Sequence, residues 1–184
     1  NTDDDAVKLF LLGSYIDENE RIVVIEDTIE LRFRQPNVVR MLTRAPNIEG
    51  KGEITIRELF RNSLRMRPSR IILGEVRGGE AMDFLQALNS GHRGSLAVIH
   101  AASPEEAVIR LENLVHYSGI NIPVPVIRSQ ISHGLDVVVQ LCQMTDGSRK
   151  VTRISEMQGL GPDGHLRLRD LFGFREEGVA HGGE

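Results

Sequence analysis

Residues 67–101, RPSRIILGEVRGGEAMDFLQALNSGHRGSLAVIHA, constrain the fold of this chain more than any other segment. Residues 70–73 form a short apolar run of the kind that makes a buried strand, and Gly74 leaves room beside them. Glu75 then stands where the chain leaves the sheet. A helix-forming stretch and a second apolar run at residues 95–99 follow. The segment therefore predicts a strand–helix–strand unit with a carboxylate at the end of its first strand.

Strand and helix patterns alternate along the rest of the chain, interrupted by a long irregular excursion over residues 28–54. A capping box at Thr55 opens one helix, and the Asp146-Gly147 pair predicts a hairpin turn. Strands are predicted at residues 21–25, 38–42, 70–73, 95–99, 136–142 and 150–156 and after Gly164, and helices at 55–66, 80–88, 103–117 and 126–134. This order predicts an α/β fold with a mostly parallel sheet and a terminal antiparallel meander at one edge.

Composition excludes several classes of protein. The chain has 184 residues and a net charge of −4, which argues against a nucleic-acid partner. No apolar run approaches the ~18 residues that a membrane-spanning helix requires. Cys142 is the only cysteine, so an internal disulfide is impossible and a reducing compartment fits. We therefore expect one globular domain.

Acidic residues and histidines flank three of the predicted strands. Glu26 and Asp27 follow the first, Glu75 follows the second, His92 precedes the third and His100 ends it. Ligands of open parallel α/β sheets bind outside the carboxyl ends of the strands. We therefore expect these groups to converge at one edge of the sheet and form a site.

Two chemistries fit such a site. In a metal-dependent hydrolase, His92, His100 and Glu75 would be ligands, although their spacing is not a standard zinc pattern. In a phosphate-handling site, carboxylates hold Mg²⁺ or orient water, a histidine senses the γ-phosphate, and arginines neutralise charge. Residues 32–77 contain ten arginines, whose planar guanidinium suits phosphate. The phosphate interpretation gives these arginines a role, whereas the metal interpretation does not.

Three segments carry a resemblance to a known family. RIVVIEDTIEL (21–31) resembles the Asp box, RPSRIILGEVRGGEA (67–81) the atypical Walker B motif, and GHRGSLAVIHA (91–101) the His box of type II/IV secretion-system ATPases. Residues 35–68 and 146–157 resemble the CpaF-like motors of tight-adherence pili in particular. The resemblance implies a RecA-like ATPase domain over residues 17–175, with an altered or truncated start over 1–16. The composition of residues 176–184 predicts a disordered tail.

The same resemblance implies roles for particular residues. Glu75 would be the catalytic glutamate that activates water, and Glu26, supported by Glu30, would act at the Mg²⁺ and water shell, with Asp27 beside it. His92 and His100 would contact the γ-phosphate. Further nucleotide or intersubunit contacts would come from Arg67, Arg32, Arg34 and Arg40. The implied cofactors are ATP and Mg²⁺. The implied assembly is a homo-hexamer at the cytoplasmic face of the inner membrane, docked on secretion or pilus platform proteins.

The sequence departs from the family pattern in two places. Ala97, Val98 and Ala102 stand in or beside the His box where Thr, Thr and Asn are usual. The P-loop motif G-x-x-x-x-G-K-[ST], which cradles phosphates, does not occur in these 184 residues. Three explanations of this absence stay open. The given sequence begins after the loop, the loop was left out of it, or the loop was lost naturally. We therefore expect little ATPase activity from residues 1–184 alone, and a non-catalytic ring or assembly module is the alternative function.

Overall fold

The computed structural model describes Gly13 and residues 15–175. The expected truncated start and disordered tail fall mainly outside this part of the chain. The described helices are α1 Ile56–Ser63, α2 Glu80–Asn89, α3 Pro104–His116 and α4 Val124–Gly134, and a 3₁₀ turn, Leu64–Met66, extends α1. The described strands are β1 Ile22–Glu26, β2 Val38–Leu42, β3 Arg70–Leu73, β4 Leu96–Ala97, β5 Val137–Gln143, β6 Arg149–Leu160 and β7 Leu166–Gly173.

Strands β1 to β4 form a parallel sheet in the order β2-β1-β3-β4. Its two central strands are apolar and buried on both faces, as crossover helices require. Val23 and Ile25 pack with Ile71 on one face, in the main core beneath the helices. Ile22, Val24 and Ile72 pack on the opposite face in a smaller cluster with Leu31. The predicted α/β fold with a mostly parallel sheet is confirmed.

The terminal meander forms a second sheet of its own, in the order β5-β6-β7. The predicted hairpin turn joins β5 to β6, where the Ser148 amide donates to Asp146 Oδ1 over 2.8 Å and Gly147 has φ +81°. Met157 and Leu168 pack against the main core. The meander itself is confirmed, but its expected place at an edge of the parallel sheet is wrong, because apolar packing rather than strand pairing attaches it to the core.

Helix α1 begins at the capping box that the sequence predicts. At α1, Thr55 accepts a hydrogen bond from the Glu58 amide, and Glu58 Oε2 accepts one from the Thr55 amide over 2.8 Å, which completes the predicted capping box. The Asp83 carboxylate of α2 forms ion pairs with Nε of Arg57 at 2.6 Å and with Nε of Arg61 at 3.1 Å. These arginines lie one turn apart on α1 and hold it against α2, the helix that follows Glu75. No helix in the described part of the chain is long and apolar enough to cross a membrane.

Candidate active site

Glu75 and His100 meet at the carboxyl edge of the parallel sheet. Glu75 follows β3 and His100 follows β4, and Nε2 of His100 lies 3.3 Å from Oε1 of Glu75. The backbone keeps the two segments together beyond the strands, since the Val76 amide donates to the Val98 carbonyl over 2.9 Å. The Glu75 side chain is 17% exposed. A largely shielded carboxylate and an exposed imidazole therefore meet at this edge of the sheet.

The other carboxylate oxygen of Glu75 is held by Arg77. Arg77 Nε donates to Glu75 Oε2 over 2.5 Å, and a second guanidinium nitrogen contacts the same oxygen. The guanidinium also lies 3.5 Å from Asp27 Oδ2. The hydrogen bond to Glu75 is the main cause that raises the pKa of Arg77. Burial opposes it, and the charges of Glu75, Asp27 and Glu30 add to the rise. Arg77 is not one of the predicted site residues, although it belongs to the arginine-rich stretch 32–77 and stands two positions after Glu75.

The backbone around Arg77 is fixed by a buried carboxylate. Glu80, the first residue of α2, accepts hydrogen bonds at Oε1 from the Arg77 amide at 2.6 Å and the Gly78 amide at 2.8 Å. At Gly79 an added Cβ would come within 2.8 Å of the Ser118 Cα, so only glycine permits this close approach. The loop between β3 and α2 is thus anchored at its backbone.

Glu26, at the end of β1, is 3% exposed and fully engaged by its own chain. Its Oε1 accepts hydrogen bonds from the Glu30 amide at 3.0 Å and the Leu31 amide at 2.8 Å. Arg40 on β2 donates to its Oε2 at 3.3 Å and also to the Leu31 carbonyl. Gly74 lets β3 pass close by, since a Cβ there would lie 3.1 Å from Glu26 Cγ. Glu26 therefore organises the turn after β1 and presents no free oxygen to solvent.

An open cleft of about 480 Å³ is lined in part by Arg77. Asp27 lies at its margin and accepts a hydrogen bond from Thr43 Oγ1 at 2.8 Å. The remaining lining includes Glu53, Thr55 and Gly78. Asp27 thus faces both the cleft and the Glu75–Arg77 pair.

Two predicted site residues lie at the opposite edge of the sheet. Arg67 precedes β3 and is exposed, in a left-handed conformation with φ +52°. His92 precedes β4, and its amide donates to the Ala87 carbonyl near the end of α2. The expectation that His92 and His100 converge is wrong, because residues before and after one parallel strand lie at opposite edges of the sheet.

The remaining arginines differ in their surroundings. Arg40 pairs with Glu26, whereas Arg32 and Arg34 are exposed in the segment between β1 and β2. Within Gly13 and residues 15–175, no group of three His, Cys, Asp or Glu side chains could hold a metal ion. The ligand set of Glu75, His92 and His100 that a metal hydrolase would need does not come together.

Comparison with known proteins decides the family. Residues 5–169 match the family model described as type II/IV secretion system protein. This chain belongs to that family. Within the type II/IV secretion system family, relatives include the type IV secretion system protein VirB11 of Bartonella quintana, 39% identical over 76% of this chain and 39% of the relative. A protein of Mycobacterium tuberculosis strain H37Rv named for conjugal transfer is 39% identical over 80% of this chain and 41% of the relative.

A solved structure agrees with this assignment. The VirB11 ATPase of the Brucella suis type IV secretion system, crystallised in complex with sulphate, superposes with a TM-score of 0.72 at 33% identity, over 82% of this chain and 44% of that one. The Legionella pneumophila ATPase DotB superposes with a TM-score of 0.56 at 18% identity, over 81% of this chain and 40% of that one, and shares the fold. The RecA-like fold is confirmed. The chain spans about two fifths of the length of these relatives.

Proposed function

We propose that this chain is the motor domain of a secretion or pilus-assembly ATPase, in which Glu75 activates the water that attacks the γ-phosphate. The proposal depends on one observation, the Glu75 carboxylate at the end of a central parallel strand, 3.3 Å from His100. Ligands of such sheets bind at this edge. The Brucella suis relative is an ATPase, and it was crystallised with sulphate, an anion shaped like phosphate.

The residues at this edge have separate roles in phosphoryl transfer. Glu75 orients and deprotonates water, and His100 contacts the departing phosphate. Asp27, at the margin of the cleft, would help to hold the hydrated Mg²⁺. Glu26 supports this shell through the backbone of Glu30, since its own oxygens are already bonded. ATP is the proposed nucleotide.

The arginines and His92 enter the proposal differently. Arg32 and Arg34 are exposed in the segment between β1 and β2 and are candidates for contacts between subunits. Arg40 pairs with Glu26. His92 and Arg67 lie at the opposite edge of the sheet. They can reach nucleotide only if that edge of one subunit faces the site of the next, as a ring would allow.

The proposed setting is a homo-hexameric ring at the cytoplasmic face of the inner membrane, docked on secretion or pilus platform proteins. Residues 35–68 and 146–157 support a place in the CpaF-like branch of tight-adherence pilus motors. The residue range of the motor domain, 17–175, is part of the same proposal. Hydrolysis in the ring would drive pilus assembly or protein export.

The test compares nucleotide binding and turnover in the full-length gene product. Glu75→Gln keeps the shape of the side chain but removes the carboxylate, so a fluorescent ATP analogue should still bind with Mg²⁺ while phosphate release falls by at least about 100-fold. Glu49→Gln is the matched control, because Glu49 is exposed and pairs only locally with Lys51. Unchanged turnover in Glu75→Gln would remove Glu75 from the reaction.

A second candidate is a non-catalytic ring or assembly module, favoured by the fact that every oxygen of Glu26 and Glu75 already has a partner. Residues 1–184, in which no P-loop motif occurs, should show little turnover on their own. If the full-length protein binds no nucleotide with Mg²⁺ present, the module is the better description.

A further inference from the structure

We propose that Arg77 exchanges partners during the cycle, between the Glu75 carboxylate and the phosphates of the bound nucleotide. The proposal rests on the function proposed above and adds a positioning residue to it. Arg77 donates to Oε2 of Glu75 and His100 lies beside Oε1, so a water that Glu75 is to deprotonate must compete with them for the carboxylate. Release of Arg77 would free the oxygen that deprotonates the attacking water.

The backbone of Arg77 is anchored, whereas its guanidinium is exposed. Its amide donates to Glu80 over 2.6 Å, within a loop that close packing of Gly79 on Ser118 holds in place. Its side chain is 63% exposed, the most exposed of the three charged groups that meet here, beside 17% for Glu75 and 43% for Asp27. The guanidinium can therefore turn while the backbone stays where it is.

The energies allow such an exchange. Exposed ion pairs contribute little because water screens them. A guanidinium binds phosphate oxygens with two parallel hydrogen bonds, and a triphosphate carries more charge than one carboxylate. An arriving phosphate therefore competes with Glu75 for Arg77. Binding of the triphosphate and pairing of Arg77 with Glu75 are then mutually exclusive, and each weakens the other.

This competition makes a prediction that simple charge repulsion does not. If Arg77 must leave Glu75, then Glu75→Gln frees Arg77 in advance, and the triphosphate binds about two- to fivefold more tightly. That gain should shrink when Arg77→Gln is also present, since no arginine remains to be freed. If instead Arg77 stays on Glu75 and only screens its charge, the gain from Glu75→Gln should grow in the Arg77→Gln background.

The experiment is a double-mutant cycle on the full-length protein with a non-hydrolysable fluorescent ATP analogue and Mg²⁺, measured as Kd. Arg61→Gln is the matched control. Arg61 is 58% exposed and pairs with Asp83 on the α1–α2 contact. Its removal should leave the gain from Glu75→Gln unchanged.

The outcomes separate this inference from the function on which it rests. If Glu75→Gln raises the affinity for the analogue more with Arg77 present than without it, the exchange of partners is supported. A gain that is equal or larger without Arg77, in proteins that all bind the analogue, overturns the exchange and leaves the ATPase proposal intact. If the wild-type protein does not bind the analogue, both are overturned.

Discussion

Oε1 of Glu75 and Nε2 of His100 lie 3.3 Å apart, although the two residues follow different strands. Parallel pairing of β3 with β4 places both strand ends at one edge, and the hydrogen bond from Val76 to Val98 extends that pairing to the residues beside them. The contact therefore depends on the register of two strands. It gives His100, rather than His92, the position from which a histidine can act with Glu75.

His100→Gln in the full-length protein should lower ATP turnover by about 100-fold, because the imidazole beside Glu75 is lost. Nucleotide binding should change far less. Phosphate release and analogue binding measure the two effects. His92→Gln is the control of the same residue type at the opposite edge of the sheet, and it should lower turnover less. A larger loss from His92→Gln than from His100→Gln would contradict this ranking and favour a contact from a neighbouring subunit.

Glu26→Ala should lower the free energy of unfolding by about 3 kcal/mol. Its removal leaves the Glu30 and Leu31 amides without their acceptor and Arg40 without its carboxylate, in a nearly fully buried position. Urea denaturation of residues 1–184 measures the change. Glu49→Ala, at an exposed ion pair, should stay within about 0.5 kcal/mol of wild type. Equal stability of both variants would mean that Glu26 does not organise the turn after β1.

Gly79→Ala should lower the free energy of unfolding by about 2 kcal/mol, because the new methyl group would meet backbone at Ser118 Cα. Gly173→Ala is the control, since a Cβ there meets nothing within 4 Å. Denaturation midpoints of the two variants provide the comparison. If Gly79→Ala unfolds at the wild-type midpoint, the loop before α2 is not packed on the end of α3 as closely as the structure has it.

The pH dependence of stability should show the contribution of Arg153. Its guanidinium lies 2.7 Å from the Glu105 carboxylate of α3 and 2.8 Å from the Asp170 carboxylate of β7. Hydrogen bonds from Arg153 lower the pKa of Glu105 below the ordinary 4.5 and, with one from Ser155, that of Asp170 below 3.8. A lowered carboxyl pKa adds stability above the ordinary value, and this stability is lost as the pH falls through the lowered one. Arg153→Met should therefore be less stable than wild type above about pH 5, and the difference should vanish in stronger acid.

Denaturant titrations of wild type and Arg153→Met between pH 2 and 7 make this measurement. Arg169→Met is the control, because Arg169 makes an exposed pair with Glu156 within the same sheet. A difference for Arg153→Met that stays constant across this range would show that Arg153 acts by packing and not by charge.

Local patterns predicted most of the elements and the residue type at the centre of the site. The predicted strand at 70–73 and helix at 80–88 agree with β3 and α2 to within one residue. Thr55 and Glu58 form the expected capping box. These features depend on neighbours within a few residues, so periodicity and capping chemistry are enough to predict them.

Pairings between distant residues could not be predicted in this way. Arg57 binds Asp83, and Arg70 binds Glu20 with its Nε at 2.6 Å, so two members of the arginine-rich stretch serve packing. Sequence alone gave no reason to separate them from Arg77. Burial and the positions of partners on other strands decide which charge each guanidinium meets.

By itself, the sequence determined the order of strands and helices, the family, and the carboxylate that ends a central strand, because each of these is written in local pattern or in contiguous motifs. Only the tertiary structure decided which groups join Glu75. It placed His100 and Arg77 against the two oxygens of that carboxylate, left His92 at the other edge of the sheet, and enclosed Glu26 in its own turn. The physical reason is that strand direction and register, set by the packing of the whole core, determine which side chains share an edge.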